Sequence, residues 1–286
     1  MKPTRGYKLF FRSLYSHSPI IHSDRLYSTI LWALGHIGIF PQSLDSLGFT
    51  VSSMFPFYRE CLFFPIPLDF ATLYPDAHLI SGSCPLFVSD DIFWETKPAK
   101  NREFLQTDCF IADSNHPIHT TAPLWHTQMY KNASCLRFKH DAGLYFLARF
   151  ETDNDKMLFE TALHFLKDDG IGKNKSIGYG QFDFEEFSLP SEIRQNDRII
   201  LLSTYYPSHH DIRNNLMHDS SIAFLTFSKS PFFLEKEAKT LLFLKEGSVF
   251  KIKPLNSSDS IIKLFNQNKK YATETAIYRI GKAFFV

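Results

Sequence analysis

The sequence predicts an α+β protein, because segments with the helical spacing of apolar residues alternate with short apolar runs typical of strands. Helical spacing occurs over residues 26–34 and again over residues 155–167. Phenylalanine is unusually abundant, at 30 of 286 residues, and its bulk suits the packing of β-sheets. Strand patterns restart after Pro190, so we expect a first domain over residues 1–190 and a second over residues 191–286.

The chain is nearly neutral, with a formal net charge of +1 at pH 7. No overall basic field therefore indicates nucleic acid, and any phosphate contact has to come from a local cluster. The cysteines are widely spaced and form no Cys-x-x-Cys pair, which favours free thiols in a reducing compartment over a cysteine-held zinc. The N-terminus lacks the apolar run of a signal peptide, and no window is apolar for the length of a membrane span. We therefore expect a cytoplasmic protein.

The first half is predicted to start with a strand over residues 7–12, followed by a helix. Ser23 or Asp24 can cap this helix, whose apolar residues from Leu26 onward share one face. Gly35 is placed to end the helix, because glycine is favoured just after the last helical residue.

Two unusual stretches lie between the two predicted helices. Residues 52–68 are aromatic and contain three prolines, which lack the amide that a central strand needs, so we expect an edge strand or an ordered loop. Residues from about 85 to 140 are polar for much of their length, and we expect an insertion that leaves the core. A buried strand over residues 143–150 then leads into the helix at residues 155–167.

The second half is predicted to consist mainly of strands, from apolar runs bounded by polar residues and glycine. We expect strands over residues 197–206 and 221–227, a hairpin over residues 240–253 that turns near Glu246 and Gly247, a short helix over residues 260–265, and a closing strand over residues 278–286. No repeat of the first half is visible at the level of residue identity.

A glycine-rich basic loop over residues 168–180 separates the second helix from a half-buried strand at residues 181–189. It holds four of the twelve glycines, with two lysines and a serine between them. Glycine permits positive φ angles and the close approach of a partner, so this density predicts a loop whose amides face a ligand. The lysines and the serine offer charge and hydrogen bonds to an anion. The pattern is also compatible with a mobile connection whose lysines are solvated.

The order of helix, loop and strand excludes the familiar nucleotide-binding loops. A Walker loop has a glycine immediately before its Lys-Ser and lies between a strand and a helix, whereas Asn174 precedes Lys175 here and a strand follows. The dinucleotide fingerprint also fails, because no glycine stands at its third position after Gly170 and Gly172.

Four segments together carry a resemblance to a known family: residues 21–28, residues 52–57 with 62–68, residues 170–180 and residues 278–284. In the order and spacing of these four segments, the chain resembles the RAMP superfamily of CRISPR RNA-binding proteins. More narrowly, it is similar to the subunit of type III-A Csm effector complexes that holds the 5′ handle of the guide RNA. The matching segments span nearly the whole chain.

The resemblance implies a fold of two ferredoxin-like (RRM-like) domains, a glycine-rich loop that grips RNA and a thumb-like hairpin in the insertion. It implies three partners: the 5′ handle of the CRISPR RNA, a large polymerase-like signalling subunit and a repeated backbone RAMP subunit. No catalysis, cofactor, metal or membrane is expected. The implied RNA-binding residues are Gly170, Gly172, Lys173, Asn174, Lys175, Ser176, Gly178, Tyr179 and Gly180 in the loop, with His22, Ser23 and Arg25 in the first segment. An Asp-Arg pair that the family has near residues 115–120 is absent.

For individual residues the sequence is compatible with either a functional or a structural role. Tyr179 can stack on a base, although a tyrosine before a glycine at a strand start more often packs in a core. Asp168 and Asp169 would repel phosphate, so we expect them to cap or turn the helix end.

The main alternative is a metal-independent endoribonuclease that processes CRISPR repeat RNA, since RAMP-type folds also host such enzymes. His17 and His22 are the candidates for its general base. The simplest role for His22, Ser23 and Asp24 is nevertheless helix capping and loop order, which favours a protein without catalysis. A further alternative is a protein scaffold in which the glycine-rich loop is an interface turn.

A metal site is a weaker alternative. Its candidate ligands are the histidine groups His116, His119, His126 and His209, His210, His218. Pro117 interrupts the first group, and no carboxylate pattern completes either one, so solvated loop histidines are expected.

Overall fold

The computed structural model describes residues 3–15, 20–39, 47–74, 86–95, 104–106, 110–113, 124–130, 133–189, 199–207, 221–227, 241–251, 261–268 and 273–286. The first half contains, in chain order, β1 (Arg5–Phe11), α1 (Ser23–His36), β2 (Phe49–Val51), β3 (Phe55–Tyr58), β4 (Cys61–Pro65), α2 (Phe70–Leu73), β5 (Phe87–Ser89), α3 (Asp90–Phe93), β6 (Phe104–Gln106), β7 (Phe110–Asp113), β8 (Trp125–Tyr130), β9 (Ala133–Phe138), β10 (Ala142–Phe150), α4 (Asp153–Asp169) and β11 (Phe182–Ser188). The second half contains β12 (Ile199–Ile200), β13 (Phe224–Phe227), β14 (Leu241–Leu244), β15 (Val249–Phe250), β16 (Ile261–Asn268) and β17 (Thr273–Ile280).

One nine-stranded sheet organises the first half, in the order β11-β1-β10-β3-β4-β5-β7-β6, with β2 also paired to β10. Neighbouring strands are antiparallel except for β5 and β7. Residues 142–148 of β10 are all buried, because both faces of the sheet are covered there. The strand β11 stands at one end of this order and is one edge of the sheet that the described strands form.

The two faces of the sheet belong to two different buried clusters, because successive side chains of a strand point to opposite sides. On one face, Phe146 of β10 packs with residues of α1 and α4 such as Ile30 and Phe159. On the other face, Tyr145 packs into a phenylalanine-rich cluster that includes Phe63 and extends into the second half. The sheet therefore has a helix side and a side that joins the two halves.

The helix α4 begins at a capping box, in which Thr152 accepts a hydrogen bond from the amide of Asp155 and the Asp155 carboxylate accepts one from the amide of Thr152. This arrangement satisfies amide groups that a helix start leaves without partners. The predicted strands 7–12 and 143–150 and the predicted helix 155–167 are confirmed. The half-buried strand after the loop is also confirmed, as β11.

The expectation that residues 52–68 avoid the middle of the sheet is wrong, because β3 pairs with β10 on one side and β4 on the other. The ladder between β3 and β4 covers only Phe57 and Tyr58. Pro56 lies just beyond those two positions, so its missing amide costs no ladder hydrogen bond to β4.

The expectation that residues 85–140 leave the core is wrong for the described part of that region. Phe87 of β5 and Phe110 of β7 are buried, and their strands extend the main sheet beyond β4. The apolar runs at residues 87–88 and 110–112 are too short to predict strands. A separate hairpin does occur, since β8 and β9 pair from Trp125 with Phe138 onward.

The α+β class is confirmed, whereas the finer prediction of two ferredoxin-like domains, with a boundary near residue 190, stays a prediction. The predicted short helix over residues 260–265 is wrong, because β16 pairs there with β17 as a hairpin. The strand at 221–227 appears as β13, and only part of the predicted strand at 197–206 is regular, as β12. The turn at Glu246 and Gly247 is confirmed, but β14 and β15 on either side of it pair with β13 and β12 and not with each other.

Candidate nucleic-acid interface

The glycine-rich loop connects α4 to β11 and is closed at its base. The amide of Ile171 donates to the carbonyl of Gly180 at 2.9 Å, and the amide of Gly180 donates to the carbonyl of Leu14, also at 2.9 Å. A Cβ atom on Gly170 would lie 2.4 Å from the Tyr179 carbonyl oxygen, and one on Gly180 would lie 2.0 Å from the Ile171 carbonyl oxygen. Both glycines also have positive φ angles, so the close contact of the two chain segments requires glycine at each.

The prediction that the glycine amides face a ligand is wrong for three of the four glycines. The amides of Gly170, Gly178 and Gly180 donate to carbonyl oxygens within the protein, those of Leu166, Lys175 and Leu14 respectively. The physical reason is that a loop which reverses between a helix and a strand uses glycine first to close its own backbone. The glycines therefore shape the loop, and contact with a ligand falls to other groups.

Arg12 fastens the base of the loop, a role that the sequence did not indicate. Its Nη2 donates to the carbonyl of Lys167 and to Asp168 Oδ1, each at 2.8 Å. This hydrogen bond from the Arg12 guanidinium lowers the pKa of the Asp168 carboxyl below its ordinary value. Asp168 thus faces Arg12, which agrees with the expectation that this carboxylate orders the helix end.

The outward part of the loop is polar and exposed. Lys173, Asn174 and Ser176 are exposed, and Ile177 is 54% exposed at the end of the short 3-10 helix formed by Lys175–Ile177. Tyr179 is only 9% exposed, so the structure favours the packing interpretation of this ring over base stacking. The groups of the loop that can meet an RNA backbone are therefore Lys173, Asn174 and Ser176.

Lys175 has a different environment from Lys173. Its Nζ lies 2.5 Å from Asp169 Oδ2 and 3.7 Å from the centroid of the Trp32 ring. Trp32 belongs to α1 and Asp169 to α4, so this lysine connects the loop to both of these helices.

The other predicted RNA-binding residues lie at the start of α1. Arg25 is exposed, whereas Ser23 is completely buried, and its Oγ lies 2.9 Å from Thr204 Oγ1 in the second half. His22 occupies the N-cap position but makes no side-chain cap. Its Nδ1 lies instead 2.8 Å from Glu246 Oε1. The expected capping role of the His22 and Ser23 side chains is therefore wrong, because both are used to join the two halves.

Glu246 is the centre of this junction. It is 2% exposed and accepts hydrogen bonds from His22 and from the hydroxyl of Ser53. Burial alone would raise the pKa of Glu246, but the hydrogen bond and charge of His22 and the hydrogen bond from Ser53 lower it. Burial alone would lower the pKa of His22, but the Glu246 hydrogen bond and the charges of Glu246 and Asp24 raise it. These shifts favour an ion pair between the buried Glu246 carboxylate and the partly exposed His22 imidazolium.

Three of the four segments that resemble the RAMP family meet along this junction, which we call the seam. The amide of Ser53 donates to the carbonyl of Leu202 at 2.7 Å. The hydroxyl of Ser203 donates to the carbonyl of Lys282 at 3.0 Å and accepts from the amide of Phe284 at 2.8 Å. The seam thus joins residues 21–28, 52–68 and 278–284 to residues 202–204 and Glu246, whereas the glycine-rich loop lies outside it.

Arg149 on β10 contacts the seam through both the positive charge and the flat face of its guanidinium group. Its guanidinium carbon lies 4.3 Å from the centroid of the Phe284 ring, and its Nη2 donates to the carbonyl of Phe285 at 2.8 Å. Cation–π stacking and a charged hydrogen bond together hold the last residues of the chain against the main sheet.

The structure offers no support for a metal site within the ranges it describes, where no three His, Cys, Asp or Glu residues are grouped as ligands. Of the histidines considered as ligands, His126 is exposed, and the other five lie outside the described residues, as does His17. Among the described helices, none is long and apolar enough to cross a membrane.

Comparisons with known proteins agree on one kind of relative. No protein-family model matches the sequence. The CRISPR system protein Csm4 of Streptococcus thermophilus is 22% identical over 273 residues, which cover 84% of this chain and 87% of that protein. A crystal structure of a Csm3–Csm4 subcomplex in the type III-A CRISPR-Cas interference complex matches with a TM-score of 0.68 at 17% identity, over 100% of this chain and 98% of that chain. A Csm1–Csm4 cassette in complex with cA3 matches with a TM-score of 0.63 at 16% identity, over 99% and 97%.

The chain thus shares its fold with chains of the Csm3–Csm4 subcomplex and of the Csm1–Csm4 cassette. The resemblance to a subunit of type III-A Csm complexes that the sequence predicted is confirmed, and the relative found by sequence is a Csm4. The likeness covers the seam and the glycine-rich loop together, because it extends over the whole chain.

Proposed function

We propose that this chain is the Csm4-type subunit of a type III-A CRISPR complex, where it holds the 5′ handle of the CRISPR RNA and links a large Csm1-type subunit to a Csm3-type backbone subunit. The observation that carries the proposal is the fold match over 100% of the chain to a Csm4 crystallised with Csm3. A second matching Csm4 was crystallised with Csm1.

The glycine-rich loop supports the RNA part of the proposal. Single-stranded RNA held through its backbone needs cations and hydrogen-bond donors at fixed positions. Lys173, Asn174 and Ser176 are exposed on a loop whose base is closed by the pairing of Ile171 with Gly180. Because the whole chain carries a net charge of only +1, such a local group is where phosphate contact is expected.

The geometry of His22 favours a subunit without ribonuclease activity. A general base acts best with a pKa near the working pH and a nitrogen free to take a proton. The Nδ1 of His22 is engaged by Glu246, and this contact raises the pKa of the imidazole, so that its protonated form is favoured. His22 is therefore placed as a structural cation of the seam.

Site-specific crosslinking in the assembled complex tests the proposal directly. A photoreactive residue is placed at Ser176 in the loop, and a control is placed at Met157, which is 58% exposed near the start of α4. We expect crosslinks to the 5′ end of the guide RNA from position 176 and none from position 157. Equal labelling from both positions, or no RNA adduct at position 176, contradicts the role of the loop. Co-purification with the large and backbone subunits tests the linking role.

Incubation of the purified chain with repeat-containing RNA in the absence of metal tests the enzymatic alternative. We expect no specific cleavage. Cleavage that His22→Ala abolishes, and that the exposed control His140→Ala leaves intact, would overturn the non-catalytic assignment.

A further inference from the structure

Lys175 is held on two sides by groups of the protein itself. Its ammonium group contacts the Asp169 carboxylate at the end of α4 and lies over the face of the Trp32 ring on α1. The side chains of Lys175 and Asp169 are 27% and 33% exposed, respectively. An ammonium group that is paired with a carboxylate and also stacked on an indole ring has less of its surface available to a phosphate than an extended lysine has.

The Trp32 ring that receives Lys175 is itself fixed by its neighbours. The centroid of the His36 ring lies 3.9 Å from it, and that of Phe165 on α4 lies 5.8 Å from it. His36 is oriented in turn by its Nδ1, which lies 2.9 Å from the Trp32 carbonyl oxygen. Although Trp32 is 38% exposed, it is a packed ring at the junction of α1 and α4.

The loop needs such a contact at its tip. Its base is closed by the backbone hydrogen bonds from Ile171 to Gly180 and from Gly180 to Leu14, but the tip projects from that base through the 3-10 helix Lys175–Ile177. Asn174 enters this turn with a left-handed φ of 63°, a conformation that costs energy for a residue with a side chain. The contacts of Lys175 tie this turn to both helices.

We propose that Trp32, Asp169 and Lys175 form a clamp that holds the tip of the glycine-rich loop, so that Lys175 positions the loop and Lys173 is the lysine presented to RNA. The clamp deepens the proposed function and rests on it for the identity of the ligand. Trp32 and Asp169 are positioning residues in this arrangement, since they act on RNA only through the shape of the loop. The two lysines have the same charge and lie two positions apart, yet they have separate tasks.

Hydrogen exchange of the complete chain without RNA tests the clamp alone. We expect Trp32→Leu and Lys175→Ala each to increase the exchange rate of amides 173–178 about five-fold, because a cation–π contact to the loop is lost. Lys175→Arg keeps a cation that stacks on indole and pairs with carboxylate, so its exchange rates should stay near those of the parent chain. Lys156→Ala, which removes a lysine at the opposite end of α4, is the control and should leave exchange of these amides unchanged. Unchanged rates in Trp32→Leu would overturn the clamp.

Salt-dependent binding of a fluorescent RNA that carries the repeat-derived 5′ handle separates positioning from phosphate contact. A lost phosphate contact lowers the slope of log K against log salt by about 0.7 for a single strand. We expect Lys173→Ala to weaken binding and lower the slope by about this amount. Lys175→Ala should weaken binding with an unchanged slope, and Lys175→Arg should restore the affinity.

The two measurements distinguish failure of the clamp from failure of the proposed function. If Lys175→Ala lowers the salt slope as Lys173→Ala does, Lys175 is a phosphate ligand and the clamp is overturned, while the RNA role of the loop stands. If neither lysine variant changes RNA binding but the exchange results hold, the RNA role of the loop is overturned and the clamp serves another ligand. Unchanged RNA affinity in both lysine variants together with unchanged exchange rejects both.

Discussion

The glycine-rich loop and the seam are built from the same kinds of sequence signal, yet the fold uses them in opposite ways. Both contain short segments that resemble RAMP proteins, and both contain serines and charged side chains. In the loop, Lys173 and Ser176 face outward, whereas in the seam Ser23 and Glu246 are buried and bonded to the other half of the chain. Similarity to a family therefore marks residues that the fold needs as readily as residues that touch a ligand, and burial separates the two.

The largest expected effect is in the seam and follows the removal of one partner of the buried ion pair. His22→Ala leaves Glu246 buried without its cation, which should lower the free energy of unfolding by about 3 kcal/mol. Urea denaturation of the complete chain measures this change. The exposed His140→Ala is the matched control and should cost less than about 0.5 kcal/mol. Equal effects of the two variants would show that the seam carries little of the stability.

The second prediction sharpens the comparison within the loop. Gly180→Ala should lower the free energy of unfolding by about 2 kcal/mol or more, since the new Cβ meets the Ile171 carbonyl and the φ angle is positive. Gly178 has a φ of 83° but open space around it. Gly178→Ala should therefore lower the free energy of unfolding only through the unfavourable φ angle, by about 1 kcal/mol. Urea denaturation of both variants gives the difference, and a reversed order would contradict the closed base.

The third prediction concerns how the stability that the seam provides depends on pH. The pKa of His22 is raised in the folded protein. Its contribution to the free energy of unfolding is therefore fully present below the ordinary value of 6.5 and is lost as the pH rises through the folded pKa. The pKa of Glu246 is lowered, so its contribution is present above the ordinary value of 4.5 and is lost as the pH falls through the folded pKa. Between pH 4.5 and 6.5 both contributions are present.

Unfolding free energies across this pH range test the pair. Relative to the parent chain, Glu246→Gln should lose the most stability between pH 4.5 and 6.5 and progressively less at higher pH. A difference between the two proteins that does not change with pH would show that the pair acts only through its hydrogen bonds.

The smallest effect is expected for a lysine that lies away from the loop. Lys156 lies near the start of α4, at the end of the helix opposite the loop, where it pairs with Glu186 at 2.9 Å. Lys156→Ala should leave both RNA affinity and the salt slope unchanged, whereas Lys173→Ala changes both. Fluorescence anisotropy at several salt concentrations measures the two. A loss of affinity in Lys156→Ala comparable to that in Lys173→Ala would mean that RNA binding is not localised in the loop.

Local sequence patterns were enough to predict the elements that surround the loop. The helix α4 follows from apolar spacing, and β10 from a continuous apolar run, because each pattern is long enough to have one interpretation. The central position of β3 was missed since Pro56 argues against it, and only the short ladder with β4 explains how the proline is tolerated. The sequence predicted a helix where β16 lies, because a short apolar run is compatible with either a helix or a strand.

The site was predictable only in part, because its contacts join distant residues. The exposed lysine, asparagine and serine of the loop were singled out from the sequence. The seam was not, since His22 and Glu246 are separated by 224 positions and no local pattern connects them. Trp32 carried no clear signal, because single aromatic residues on the outer face of a helix are common on protein surfaces.

The position of β11 at the end of the sheet has a consequence for how the chain behaves in solution. An edge strand presents backbone groups to which a strand of another molecule can add, which is a common route to aggregation. Asp183, Glu185 and Glu186 are exposed along β11. Copies of the same chain that approach edge to edge would bring these carboxylates together, which disfavours self-association through this edge.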